Sequence, residues 1–400
     1  MAREPDGGML MILLGVAILL QSPGDTISLD QALDRARHAR ASVVAAAAAV
    51  AEARSALRTA GAVPNPTISY SRTESVPRNH LLFDQPLDWL LRRGSDRSAA
   101  RAGVDRALAD SSLAVAGLLR EVRSAYFRAR ASRLAESLVR AQAALADTVA
   151  RLSAARLRAG DISLLEQEQA AQEAARARQT AAAARETARV DEADLARAIA
   201  WDGVPPTPIG PLDAGLDQLP DTSVDLAALP GVRTATADSA AAAEQARSAA
   251  RARVPLPTVQ SGAEWGDEAQ PGALRVIGLA LPFPLWNLGG SRVDEARARA
   301  TRASALAREA RLDAVRQLRL VRIHLEETSA RARFDRDSIV PGAGVLRGRA
   351  LRAYQAGETG ILPVLDALRG ERDASLGALQ DQLAFQEALA DWYAVVGSAK

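Results

Sequence analysis

Two short blocks of this chain recur at nearly the same distance. Val63-Pro64-Asn65-Pro66-Thr67-Ile68 reappears as Val254-Pro255-Leu256-Pro257-Thr258-Val259, 191 residues later, and Ala159-Gly160-Asp161-Ile162-Ser163-Leu164-Leu165 reappears as Ala356-Gly357-Glu358-Thr359-Gly360-Ile361-Leu362, 197 later. A tandem duplication follows, so whatever the first half folds into, the second must repeat. Trp89 and Trp286 also stand 197 apart. The six extra residues therefore lie in the polar segment after the Pro-x-Pro block, where a loop tip absorbs insertions most easily.

Composition then narrows the class. Hydrophobic residues make up 48% of the chain but aromatics only 4%, and long Ala/Arg/Glu/Leu runs are typical of extended helices. Basic and acidic residues number 50 and 48, for a formal charge of +2, and their signs are interleaved, so no nucleic-acid stripe forms. The single lysine is Lys400, which excludes a phosphate-binding loop of the G-x-x-x-x-G-K-[ST] kind. With no cysteine, disulfides, zinc-thiolate sites, a thiol nucleophile and a lipidated N-terminal cysteine are excluded as well. The apolar run Met9 to Leu20, followed by Ser22-Pro23-Gly24, is too short to span a bilayer and reads as a signal peptide over residues 1–24.

Each half has the same expected plan. Residues 25–203 form the first repeat, with a helix over Leu29 to Ala60, a β-hairpin at 64–90 and a long helical hairpin at 95–200. Residues 225–400 form the second, with a helix over Val232 to Arg253, a β-hairpin at 255–287 and a helical hairpin at 291–397. Residues 204–224, within a stretch holding five prolines between Gly203 and Pro220, read as a linker or surface belt. The paired prolines stop each first helix because they remove backbone donors and force the preceding residue to be extended. Thr67 to Ser75 and Leu81 to Trp89 alternate with period two, as do the strands around Val259–Trp265 and Ile277–Phe283. Beyond them, Ala100, Val104, Ala107, Ser111, Ala114 and Leu118, and then Ala296, Ala300, Ala303, Ala307, Ala310 and Ala314, form small-residue heptad seams. The first long helix is expected from Asp96 to Ala159 and a return helix from Ile162 to Ala200, with a second return from Ile361 to Val396 and a kink or brief break at Pro341-Gly342.

Tyr70, Phe83, Trp89, Trp265, Phe283 and Trp286 gather in the two strand windows. Aromatic girdles around an apolar outer face mark strands that cross a membrane, whereas a pair of hairpins packed on helices would use the same residues as core. Four strands cannot close a barrel, since the smallest have about eight. If the hairpins enter a bilayer, copies of the chain must pool them, and the helical hairpins then pool into a tube. Fold class is therefore mainly α with a small β part.

The residues that settle on a family are Ser28-Leu29-Asp30-Gln31-Ala32-Leu33, Ala60-Gly61-Ala62-Val63-Pro64-Asn65-Pro66, Leu279-Ala280-Leu281-Pro282-Phe283-Pro284-Leu285 with Gly289-Gly290-Ser291-Arg292, and Tyr354-Gln355-Ala356-Gly357-Glu358 running on to Val364-Leu365-Asp366-Ala367. Together they resemble the TolC-like outer-membrane efflux proteins over nearly the whole chain after the signal segment. The resemblance implies a homotrimer whose twelve-stranded β-barrel sits in outer-membrane lipid above a periplasmic α-barrel. It implies a passive duct, neither an enzyme nor a cofactor protein, that works with a periplasmic adaptor (membrane fusion) protein and an inner-membrane pump to export small molecules or metal ions. Gly160, Asp161, Gly357 and Glu358 would form the periplasmic tip that the adaptor contacts. Tyr354 and Asp366 match the family's gate positions, and three copies of Asp366 would make an acidic ring favouring cations. The family's partner arginine falls at Thr359 and its second aspartate at Pro363, so the resemblance does not extend to that salt-bridge network.

Other groupings carry less. His38, His80 and His324 are scattered, giving no metal or catalytic cluster, and Glu166, Glu168 and Glu173 read as solvated surface. Asp84 and Asp88 alternate away from the apolar side of their strand and are expected to meet water. The alternative reading is a periplasmic adaptor or secreted coiled-coil scaffold protein, which would also use long helical hairpins but only one per chain and a separate β-domain.

Overall fold

A computed structural model describes residues 26–221, 223–283, 285 and 289–397. The elements run β1 (Thr26–Ile27), α1 (Leu29–Ala39), α2 (Ala41–Ala60), β2 (Thr67–Arg72), β3 (Asn79–Pro86), α3 (Trp89–Ala159), α4 (Leu164–Ala198), β4 (Thr207–Pro208), α5 (Pro230–Arg251), β5 (Thr258–Trp265), β6 (Leu274–Ala280), α6 (Gly290–Phe334), α7 (Val340–Gln355) and α8 (Ile361–Val396). The residues expected to form the signal peptide, and Trp286, lie outside the described residues. Among those described, no helix is long and apolar enough to cross a membrane.

The chain is mainly helical, with two β-hairpins, as its composition and periodicity imply. The hairpins do not stay separate. Strands pair in the order β2-β3-β5-β6, all antiparallel, so the β3–β5 seam welds the two halves into one four-stranded sheet. Gly262 sits on that seam because a Cβ there would collide with the Leu81 carbonyl oxygen and lie 2.9 Å from Leu82 Cδ2.

Helices extend from the sheet. At 71 residues, α3 spans about 105 Å at ~1.5 Å per residue. It lies between α2 and α5, with α6 beyond α5; farther along it lies between α4 and α8, and α8 also meets α6 and α7. The α6 seam faces inward as its spacing predicts: Ala303 and Ala314 are buried and Ala296, Ala300, Ala307 and Ala310 half-buried. Such seams bury little area per residue, so large side chains are concentrated where they hold most. One cluster joins Leu33, Leu118, Val122, Tyr126, Phe127, Leu195 and Ile199; a neighbouring one joins Leu216, Leu325, Phe385 and Trp392.

The proline-rich segment between the halves is fastened to these clusters. Thr207–Pro208 pairs in parallel with Thr26–Ile27. Leu212 and Leu216 are buried, and buried Gln386 donates from Nε2 to the carbonyls of Leu212 and Ala214, both at 2.8 Å. Tyr126 Oη donates to the carbonyls of Ile27 and Ile209, and burial raises its pKa.

Several boundaries differ from the sequence expectation. The stretch Leu29 to Ala60 is two helices, because Arg40 is extended at φ −74° and ψ 126° while its guanidinium reaches the Arg197 carbonyl and Glu121. The strands end at Arg72 and Pro86 rather than Ser75 and Trp89, and Trp89 opens α3 seven residues earlier than expected. Pro86 is the last strand residue, and one further main-chain bond, from Leu87 N–H to the Pro257 carbonyl at 3.1 Å, follows it before the turn into α3. Helix α5 starts at Pro230, two residues before Val232. The interruption expected at Pro341-Gly342 takes the form of a π-turn over Asp335–Ile339, which carries α6 into α7 without ending the helix. A widened turn accommodates the hydrogen bond that Pro341 cannot donate.

Gly262→Ala is expected to wedge the β3–β5 seam at a cost on the order of 1–3 kcal/mol per chain. Loss of heat-resistant strand signal in circular dichroism, relative to wild type, checks it.

Candidate functional site

Directly paired residues share a face of a sheet, so the register sorts the strand wall into two surfaces. One carries Ile68, Tyr70, Leu81, Phe83, Val259, Ser261, Ala263, Trp265, Ile277 and Leu279. The other carries Ser69, Ser71, His80, Asp84, Thr258, Gln260, Gly262 and Glu264, with Leu82, Leu274 and Val276 among them. On the first face the apolar side chains are open to the surroundings rather than packed on helices: Ile68 is 69% exposed, Ile277 85% and Leu279 71%. Exposed apolar surface of this extent marks a contact with lipid or another protein. Beyond β6 the pattern continues through exposed Leu281 and Phe283.

Of the expected aromatic band, Tyr70, Phe83 and Trp265 lie on the apolar face, and Tyr70 stacks on Trp265 with ring centroids 6.3 Å apart. Phe283 is exposed just past β6. Trp89 is not on a strand: it sits at the start of α3 with the Arg93 guanidinium 5.9 Å from its ring. Asp84 is on the polar face, as its alternation predicts, whereas Asp88 lies in the turn before α3 and pairs with Arg92 at 3.1 Å.

At the opposite end of the helices are two tips of one design. Gly160 (φ 83°) and Gly357 (φ 77°) adopt the left-handed conformation that ends a helix. In both, the next N–H reaches back five residues, Asp161 to the Arg156 carbonyl and Glu358 to the Ala353 carbonyl, at 2.9 Å each. Asp161 and Glu358 are exposed. The repeated Ala-Gly-acid sequence is thus a repeated helix stop. Ser163 and Glu166 then cap α4 reciprocally, so Glu166 is spent on the helix start.

The tips are bolted to each other within the chain. Tyr354 is fully buried among Val149, Ala170, Ile361, Val364 and Leu365. Its hydroxyl lies 3.1 Å from Ser153 Oγ. Arg156 donates to its carbonyl at 3.0 Å and stacks its guanidinium 4.8 Å over the ring. A second bolt joins α4 to α8, where buried Glu173 accepts from Arg369 Nη2 at 2.5 Å and Nε at 3.1 Å. That hydrogen bond raises the Arg369 pKa. Glu173 therefore corrects the expectation of solvated surface: its ion pair bridges two halves 196 residues apart, and no local spacing signals that. Asp366 is exposed on α8, three residues from Arg369. His38, His80 and His324 stay apart, and among the described residues no group of three or more His, Asp or Glu side chains gathers as a metal site.

No family model matches the chain. The cobalt-zinc-cadmium resistance protein CzcC of Cupriavidus metallidurans is 25% identical over 364 residues, covering 88% of this chain and 86% of that protein. Among solved structures, CusC, studied for the conformational changes that accompany folding and transmembrane channel formation, superposes with a TM-score of 0.78 at 17% identity over 96% of each chain. The outer membrane protein VceC of Vibrio cholerae gives 0.74 at 19% identity over 92% of this chain and 96% of that one. The open state of the Neisseria gonorrhoeae MtrE outer membrane channel gives 0.72 at 20%, over 92% and 89%.

Tyr354→Ala is expected to remove about 3–5 kcal/mol of tip packing, and Tyr354→Phe, which loses only the Ser153 contact, about 1 kcal/mol. Limited proteolysis should cut the alanine variant faster at loops 160–163 and 356–360, with the phenylalanine variant close to wild type.

Proposed function

We propose that this chain, which has the fold of the TolC-like outer-membrane efflux channels, is the passive outer-membrane exit duct of a multicomponent efflux system. The observation that carries the reading is the strand wall: four strands with one apolar, outward-open face, one polar face, and two edges, β2 and β6, unpaired among the described residues. In a bilayer, every edge donor and acceptor must be satisfied within protein. Three copies joined edge to edge give a closed barrel of twelve strands, which a single chain cannot form. The apolar face then meets outer-membrane lipid and the polar face lines water.

Below the barrel, the long helices of three chains continue as a tube through the periplasm. Its length, about 105 Å for α3 alone, suits a conduit between membranes and no catalytic fold. Transport through it is downhill, so an inner-membrane pump supplies the energy and a periplasmic adaptor joins pump to duct. The paired tips, with exposed Asp161 and Glu358, are the surface offered to that adaptor. We assign Tyr354 the part of a pin that sets the second tip against α3, and exposed Asp366 that of the charge presented at the constriction. The exposed apolar sheet face opposes the alternative of a soluble adaptor or scaffold, which would have to keep Ile68, Ile277 and Leu279 in water. For cargo, the name of the relative from Cupriavidus metallidurans supplies cobalt, zinc and cadmium ions as the first to test.

Fractionation tests the reading directly. The protein is expected to sediment with the outer membrane and to run as a detergent-stable trimer; a soluble monomer at physiological salt would overturn it. Asp366→Asn is expected to lower cation preference in planar-bilayer recordings, and unchanged selectivity would remove Asp366 from the constriction.

A further inference from the structure

The four strands carry few charges, and they are sorted by sign. Asp84 and Glu264 both fall on the polar face, whereas Arg72 and Arg275 both fall on the apolar face, near Tyr70 and Trp265. No arginine stands on the polar face of any strand, in a chain where basic residues number 50. The turn between β5 and β6 adds Asp267 and Glu268 with no basic residue over 266–273. We propose that the inner wall of the strand barrel, and not only the helical tip, selects for cations, with Asp84 and Glu264 as its selectivity-determining residues. This rests on the pooled-barrel reading above, since only there does the polar face enclose water.

The two carboxylates stand in different settings. Asp84 is half-buried, with Oδ1 enclosed and without a hydrogen-bond partner among the described residues, and its cross-strand neighbours Thr67 and Gln260 are uncharged. Glu264 accepts from His80 Nδ1 at 3.0 Å, which fixes the carboxylate's direction. The one row between them on this face, Ser69-Leu82-Gly262-Val276, is uncharged. Three copies would therefore give two rings of three carboxylates, one near each end of the wall, with nothing positive between. Rings of carboxylates concentrate cations and repel anions in a pore. On the other face, the two arginines at the far rim sit where phosphate-bearing headgroups and an aromatic girdle belong. The same sorting thus serves both sides of the wall.

The test is the reversal potential of the purified trimer in planar bilayers under a potassium chloride gradient. Wild type at about 0.1 M salt is expected to favour cations, with the preference fading near 1 M, where the screening length falls to about 3 Å. Asp84→Asn with Glu264→Gln should lower the cation-to-anion permeability ratio at least about twofold, in wild-type and Asp366→Asn backgrounds alike. Ser69→Asp, which adds a carboxylate to the inner face, should raise it, and serves where the double variant does not assemble. A conducting trimer whose ratio is unmoved by these changes overturns the wall as a selectivity element and leaves the duct standing. A stable wild-type oligomer that conducts nothing overturns the duct itself.

Discussion

The unfinished sheet governs the rest of the molecule. A β-edge is a row of unpaired N–H and C=O groups, and here two such edges flank a wall that is apolar on one side and polar on the other. Neither hairpin would be stable alone, because two strands without a covered face are marginal in water. The β3–β5 seam makes one wall of two hairpins, and the duplication is what supplies the second hairpin at matching register. On the reading proposed above, further copies complete the edges left open after this fusion, and the helices, which leave the same wall, follow them around the axis.

That geometry explains the unusual economy of the helical part. Alanine seams let long helices run close together, but they contribute little burial, so stability is gathered into a few clusters of large side chains. One pair of clusters surrounds the proline belt, where Tyr126, Gln386 and Leu216 tie the connection between halves to α3 and α8. Another sits at the tips around Tyr354. Between them the helices carry mostly exposed Arg–carboxylate pairs, each worth little on its own. Rigid stations at the belt and at the tips, joined by uniform small-residue seams, suit the tube proposed above.

The tips show how one sequence signal can have two structural outcomes. Both Gly160 and Gly357 stop their helices in the same way, yet only the second tip carries a tyrosine three residues earlier, and that tyrosine is absorbed into a buried joint with Ser153 and Arg156. Tyr354 thus couples the two repeats, and Glu173 with Arg369 couples them again one level up. The duplicated halves are equivalent in plan and unequal in wiring.

Much of the plan was written in local patterns. Repeated Pro-x-Pro and Ala-Gly-acid blocks marked the duplicated hairpins, period-two alternation placed Ile68, Tyr70, Phe83 and Trp265 on one face, and heptad alanines marked the α6 seam, because each of these depends only on backbone geometry within a few residues. What local pattern could not reach was decided by partners far along the chain. Arg40 breaks its helix because Glu121 and the end of α4 claim its guanidinium; the proline expected to kink or briefly break its helix is accommodated by the π-turn over Asp335–Ile339; Trp89 opens α3 instead of closing the strand; Glu173 is buried because Arg369 stands opposite. The sequence alone determined periodicity, the glycine stops at the tips and the four strands of the two hairpins. Tertiary structure alone decided which strand meets which, since pairing across roughly 180 residues is a matter of free energy summed over the whole wall and leaves no mark on any single segment.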